Sequence, residues 1–181
     1  ILIFETFSLS NDKIQIKMDI EFKISKKPVN YIKAINILEK RVDKVKKGGR
    51  ELVWFLEHPT TYTAGVRFKK EEILDKSINV IKTNRGGKIT LHNPGQKIIY
   101  FVLDLNKRKR NIRNLIRQVE NIIIKFLKIY KIRSYADKKN IGIWVNDKKI
   151  AAIGIRVSRW IAFHGFSINI ENNIQEYNKI V

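Results

Sequence analysis

Apolar residues recur at helical spacing in only two stretches of this chain, and that scarcity decides the architecture: whatever else is buried must be buried as sheet. The first stretch runs from Val29 to Lys47 through Tyr31, Ile35, Leu38, Val42 and Val45, with Pro28 ahead of it and Gly48-Gly49 behind, the flanks of a helix that ends on glycine. The second, Ile112 to Tyr130, repeats through Leu115, Ile116, Val119, Ile123, Phe126 and Leu127. Around them the period falls to two. Ile14, Ile16, Met18, Ile20, Phe22 and Ile24 alternate strictly with polar residues, predicting a half-buried strand, and Leu52 to Leu56 is a continuous apolar run of strand length closed by Glu57-His58-Pro59. Short strands are expected at Val80-Ile81 and from Ile98 to Leu105. The last third reads as sheet: Gly142 to Val145, a tight turn at Asn146-Asp147, Lys149 to Val157, and Trp160 to Ile170. The expectation is one domain spanning 1–181, of the α+β class, with a mixed, largely antiparallel sheet packed with helices.

A length of 181 residues suits one domain with a substantial core, and 44% hydrophobic residues argue against disorder despite 30% charged ones. The net charge of +20 would ordinarily raise nucleic acid, an anionic membrane or an acidic protein as partners. Yet the lysines are scattered singly, the densest basic cluster is Lys107-Arg108-Lys109-Arg110, and no aromatic residues are interleaved with it. Compositional bias toward Ile, Lys and Asn accounts for the charge as well as any partner does. No apolar run approaches the ~20 residues of a membrane span, and Ile1 to Ser8 lack a signal peptide's basic start, so a cytoplasmic location is expected. Beginning on Ile rather than Met, the chain reads as a segment of a longer product. With no cysteine there are no disulfides or thiolate metal sites in this segment; with only His58, His92 and His164, a zinc site would need carboxylates, and no metal is expected.

Three segments have the residue types of chemistry. Arg85-Gly86-Gly87-Lys88-Ile89-Thr90-Leu91-His92-Asn93-Pro94-Gly95-Gln96 pairs glycines, which let backbone N–H groups approach a ligand, with a planar guanidinium fork; the alternative is a surface hairpin. Lys148 to Arg156 is a strand of small and apolar residues with Lys149 at its entrance, alternating with Ala151 and Ile153 on one face; the alternative is a solvated hairpin lysine. Phe163 to Asn169 holds a strand-interrupting Gly165, which suggests a bulge or a close backbone approach, beside His164, alternatively an ordinary structural histidine.

Taken in order, WFLEHPTTYTAG (54–65), RGGKITLHNPGQ (85–96), GIWVNDKKIAAIGIRV (142–157) and FHGFSIN (163–169) resemble the octanoyltransferases that start lipoate assembly. The resemblance spans about Val29 to Val181. It implies the biotin/lipoate protein ligase catalytic-domain fold, with a tunnel for a medium-length acyl chain. It implies octanoyl transfer from acyl carrier protein onto an enzyme cysteine, then to a lysine on lipoyl domains of 2-oxo acid dehydrogenase complexes or the glycine cleavage H protein. No cofactor, nucleic acid or membrane is called for, and a monomer is expected. Lys149 matches the lysine beside that cysteine. An ammonium about 4 Å from a thiolate, at an effective dielectric near 20, favours the anion by about 4 kcal/mol before desolvation is subtracted, which would bring a thiol pKa of about 8.5 below 7. Substrate contacts carry over to Arg85, Gly86, Gly87, Lys88, Ile89, Thr90, Leu91 and His92, to Ala152, Ile153 and Gly154, and to His164, Gly165 and Phe166.

Two departures stand out. The family's cysteine lies in a Pro-Cys-Gly triplet after a short helix ending in a pair such as Ile-Val; Glu176 to Val181 fits that lead-in, which places the nucleophile two residues beyond Val181. Asn93 replaces the glycine usual in the His-Gly-Pro-Gly turn, and is expected to tolerate the same positive φ. The competing readings are an ATP-dependent lipoate ligase, which shares the fold and uses an equivalent lysine, and a basic binding module for nucleic acid or an acidic carrier.

Overall fold

The computed structural model describes residues 19–181. Its elements run β1 (Ile20–Ile24), α1 (Tyr31–Lys46), β2 (Glu51–Leu56), β3 (Thr61–Ala64), β4 (Val80–Lys82), β5 (Ile89–His92), β6 (Gln96–Asp104), α2 (Ile112–Ile129), β7 (Tyr135–Ala136), β8 (Ile143–Val145), β9 (Lys148–Ser158) and β10 (Ile161–Asn169). Of the alternating stretch 14–24, the part before residue 19 lies outside the described residues. No helix among those described is long and apolar enough to cross a membrane.

Both helices end by the same device. At α1 the N–H groups of Gly48 and Gly49 return to the carbonyls of Val45 and Lys44, with Gly48 at φ 85°. This double bond pattern needs one left-handed residue, which glycine adopts freely. α2 closes in the same way through Lys131 and Ile132 onto Lys128 and Leu127, but Lys131, at φ 60°, takes the left-handed position. At their starts, Asn30 and Asn111 accept hydrogen bonds from the backbone of Lys33 and Asn114.

Seven strands form the main sheet in the order β1-β2-β6-β10-β9-β8-β7, in which β1 pairs parallel with β2 and every other pair is antiparallel. α1 covers one face, packing Ala34, Leu38, Val42 and Val45 on Leu52, Trp54, Ile98, Val102 and Phe163. α2 covers the other, with Leu115, Val119, Ile123 and Leu127 against Val53, Phe101, Ile143 and Ala151. Strands β4-β3-β5 make a second, small sheet that was not foreseen as a sheet; its core of Tyr62, Ile89 and Leu91 receives Tyr177 and Ile180 from the C-terminal turn.

The Asn146-Asp147 turn has φ values of 46° and 60°, both positive, as a two-residue hairpin with the native twist requires. The β9–β10 connection uses the same conformation at Arg159 (49°) and Trp160 (65°), neither of them a residue that favours it.

Candidate active site

The 85–96 segment is not a surface hairpin. β5 belongs to the small sheet and β6 to the large one, so the segment crosses between them, and Arg85, Ile89, Leu91, His92, Asn93 and Gln96 are all buried. The crossing turn is held by Glu57, whose carboxylate accepts from the Gly95 N–H at 2.8 Å and pairs with Lys97. The expectation for Asn93 needs correction. Asn93 does not have positive φ; Gly95 does (85°), and Asn93 instead uses its amide, donating to the Asn173 carbonyl at 2.8 Å and accepting from the Asn172 side chain at 3.1 Å.

Arg85 is the centre of the pocket. Its Nη2 donates to the Thr63 carbonyl (2.7 Å) and hydroxyl (2.9 Å), Nε to the same hydroxyl (3.3 Å), and Nη1 to the Gly86 carbonyl (3.0 Å). No carboxylate takes part. Burial lowers the Arg85 pKa, but a guanidinium stays protonated, so the pocket holds a cation solvated by neutral oxygens. Gly65 makes this geometry possible, since a Cβ there would lie 2.4 Å from the Gly87 carbonyl oxygen and 2.9 Å from Nη1, while Gly87, at φ 91°, takes a left-handed conformation that a side chain would strain.

The chain's three histidines cluster with Tyr31 and Tyr100 here, and the charge of Arg85 reaches His92 and His164. The ring of His58 lies 5.2 Å from Tyr31, 5.5 Å from His92 and 5.6 Å from Tyr100, and Tyr100 lies 6.4 Å from His164. Tautomers follow from the partners. His58 Nδ1 sits 2.6 Å from the Val29 carbonyl, which can only accept, so Nδ1 carries the proton and Nε2 accepts from the Tyr100 hydroxyl at 2.9 Å. Desolvation is the main cause that holds His92 down to about 3 and His164 to about 4, with the charge of Arg85 lowering both further; burial lowers His58. The histidines are therefore neutral at pH 7. The Tyr31 hydroxyl, beside Arg85 and Thr83, is buried without a hydrogen bond of good geometry and remains available to a ligand oxygen.

His164 reaches the pocket through strain. Its neighbours Ala162, Phe166 and Ile168 pack toward α2, and strict alternation would send His164 there too. A φ of 69° instead stacks it on Phe163 (5.0 Å) and brings Nε2 to 3.3 Å from the Asn84 side chain. Gly165 follows with φ 157°, and a Cβ there would stand 2.0 Å from the Ile99 carbonyl oxygen: the close backbone approach that the glycine suggested.

The structure thus joins Arg85, Gly86 and Gly87 with Gly154 and His164. Others fall elsewhere: Ile89 and Leu91 lie in the small-sheet core, Ile153 and Phe166 pack on the α2 cluster, Lys88 is exposed and paired with Glu72 (2.8 Å), and Ala152 is half-buried opposite Ser167. Lys149 makes no hydrogen bond or ring contact with the Arg85 pocket. Its backbone carbonyl accepts from Asn169 (3.4 Å), whose Oδ1 accepts from Gln96 (2.8 Å); Gln96 also bonds His92 Nδ1 (2.7 Å) and the Tyr177 hydroxyl (3.0 Å). This buried network ties the Lys149 strand, the pocket and the C-terminal turn together. The Lys149 amine itself is solvent-accessible and lies 4.9 Å above the Trp144 ring; desolvation lowers its pKa, opposed by Asp137. Two surface clefts, one lined by Ser25 to Asn30 with Lys33 and one by Glu21, Arg41, Lys44, Lys47, Gly49 and Arg50, contain none of these residues.

Sequence reasoning assigned no role to Tyr31, Tyr100, Thr63 or His58. Tyr31 and Tyr100 occupy positions whose spacing signals core. His58 and Thr63 did lie in a matched motif, 54–65, which was the available signal.

Two facing helical layers on a mixed sheet, with a small flanking sheet over an arginine pocket, define the class of acyl-handling ligase and transferase domains. The sequence matches the family described as lipoyl protein ligase A/B catalytic domain over residues 30–181. It is 46% identical to the octanoyltransferase of Anaplasma phagocytophilum over 171 residues, covering 91% of this chain and 82% of that one. It is 43% identical to that of Ehrlichia chaffeensis over 169 residues (90% and 79% covered), and 38% identical to that of Bradyrhizobium diazoefficiens over 171 (90% and 69%). Among solved structures, a T. acidophilum protein with bound lipoic acid is similar with a TM-score of 0.75 at 14% identity (90% of this chain, 73% of that), and lipoate-protein ligase A bound with ATP with 0.69 at 12% (88% and 72%). At such identities the likeness is one of fold. The chain belongs to the octanoyltransferase family, within the lipoyl protein ligase A/B catalytic-domain group.

Proposed function

We propose that the octanoyl transfer this domain performs in protein lipoylation proceeds through a thioester on a cysteine placed after Val181, with Lys149 as the amine that serves it. Acyl carrier protein is the donor and a lipoyl-domain lysine the acceptor. The observation that supports this most is the setting of Lys149: a partly desolvated amine to which no carboxylate among the described residues is bonded, on a strand whose Lys149 backbone carbonyl is linked through Asn169 and Gln96 to the C-terminal turn.

The chemistry balances in two steps. The thiolate attacks the octanoyl thioester carbon of the carrier, and the carrier's thiolate leaves and takes up the proton held by the Lys149 ammonium, which leaves that amine neutral. The lipoyl lysine then attacks the enzyme thioester; it loses a proton to Lys149, and the cysteine leaves as the thiolate that the resulting ammonium stabilises. An octanoyl tail buried along the small-residue strand contributes roughly 5 kcal/mol at ~0.8 kcal/mol per methylene, so positioning needs no ATP. Arg85 and Tyr31 supply donors for an oxygen of the bound substrate.

The test is to incubate the full-length protein with octanoyl carrier protein and an apo lipoyl domain, without ATP. Octanoylation of the domain and a hydroxylamine-labile acyl adduct on the enzyme are expected. Transfer only from free octanoate with ATP would assign the chain to ligase chemistry instead.

A further inference from the structure

We infer that Trp144 is the positioning residue for Lys149, holding the ammonium by the face of its indole where an ion pair would have neutralised it. The inference rests on Lys149 being the catalytic amine. It starts from the turn: positive φ at Asn146 and Asp147 fixes a two-residue hairpin, and that hairpin sets Trp144 directly across from Lys149 in the β8–β9 register. Cross-strand neighbours share a face, so the long lysine stem is delivered over the ring, with Nζ 4.9 Å from its centroid.

The ring is itself fixed. Its indole N–H donates to the Asn140 carbonyl at 3.0 Å, which sets its plane. Gly142 closes the other side of the slot: a Cβ there would lie 3.1 Å from Lys149 Cε, 3.2 Å from Cδ and 2.7 Å from the Ala151 carbonyl oxygen. A side chain at 142 would push the stem out of its track.

The charged groups nearby explain why a ring is needed. Asp137 is the carboxylate whose field reaches Lys149, yet its oxygens accept from the Lys139 N–H (2.7 Å) and the Asn140 amide (3.2 Å). Asp147, in the turn, accepts from the Tyr135 hydroxyl (2.7 Å). Lys148, Lys138 and Lys139 are exposed cations on the same corner, and β10 contributes the neutral Asn169. No carboxylate bonds the amine. A carboxylate would place it equally well but would cancel its field at the thiolate and hold it strongly protonated; the weaker attraction of an aromatic face places it without adding an opposing charge.

The experiment compares W144F, W144L, G142A and K149A in the full-length enzyme, using rapid-quench mass spectrometry for enzyme acylation and for transfer. It also follows the Lys149 13Cε resonance against pH. W144L should slow both steps by roughly 10- to 100-fold with KM for octanoyl carrier protein within about 2-fold, and the Lys149 titration should move downward as the ring's attraction for the ammonium is lost. W144F should recover most of the rate, since a phenyl ring keeps the face without the indole N–H. G142A should resemble W144L. In a K149A background, W144L should have no further effect. W144L with wild-type rates and an unmoved titration overturns the inference, as does W144F crippled as fully as W144L. If K149A itself transfers at the wild-type rate, the underlying reading of Lys149 fails, whatever Trp144 does.

Discussion

The Arg85 pocket and the Lys149 corner solve opposite problems with the same few kinds of residue. In the pocket a buried cation is bonded to carbonyls and a threonine hydroxyl, beside histidines that burial keeps neutral. At the corner an accessible amine is held by a ring face and a glycine slot, and its proton is left free to move. Binding groups are fixed by hydrogen bonds between sheets; the reactive group is fixed by packing alone. The pocket gathers residues from both sheets and the loops between them, the corner is a single β8–β9 hairpin, and Gln96 and Asn169 link the two.

If the pocket depends on the closeness of its strands, the largest effect should come from Gly165→Ala. Its Cβ would overlap the Ile99 carbonyl oxygen at 2.0 Å on a backbone with φ 157°, and a loss of about 4 kcal/mol or more is expected in denaturant unfolding. A smaller loss would mean that β6 and β10 can part. Arg85→Met sharpens the distinction between binding and folding. It removes a buried charge with neutral partners, so unfolding stability should stay within about 1 to 2 kcal/mol while KM for octanoyl carrier protein rises roughly 100-fold. A collapse of stability with an unchanged KM would make Arg85 a structural cation.

Acid supplies the smallest and most graded test. His92 and His164 titrate near 3 and 4 in the folded protein and near 6.5 when unfolded, so below about 6.5 the unfolded chain binds more protons. Their contribution is fully present above about pH 6.5 and is lost as pH falls toward 3 to 4, at up to about 1.4 kcal/mol per pH unit for each histidine. Unfolding midpoints measured from pH 8 to 4 should decline across that window, and H92Q should flatten the decline.

Much of this was legible in the residues. Both helices, the long strands and the Asn146-Asp147 hairpin follow from apolar period and turn chemistry, and the Arg-Gly-Gly, Ala-Ile-Gly and His-Gly segments stand out by their residue types. What stayed hidden has physical causes. The end of α2 and the β9–β10 turn rely on left-handed Lys131, Arg159 and Trp160, residues that adopt that conformation only because tertiary pairing compels them. The small sheet uses strands of three and four residues, too short for a period to register. Tyr31 and Tyr100 looked like core because they are core, with only their hydroxyls turned to the pocket. Asn93 was read for its backbone, and its side chain turned out to matter.

The central claim is that the Lys149 amine serves a thioester that the Arg85 pocket only positions. Rapid-quench mass spectrometry of wild-type and K149A full-length enzyme, mixed with octanoyl carrier protein and a lipoyl domain, tests it directly. The account predicts that K149A loses roughly 100- to 10,000-fold in transfer while the carrier protein binds within about 2-fold of wild type. K149A passing octanoyl to the lipoyl domain at the wild-type rate would contradict it.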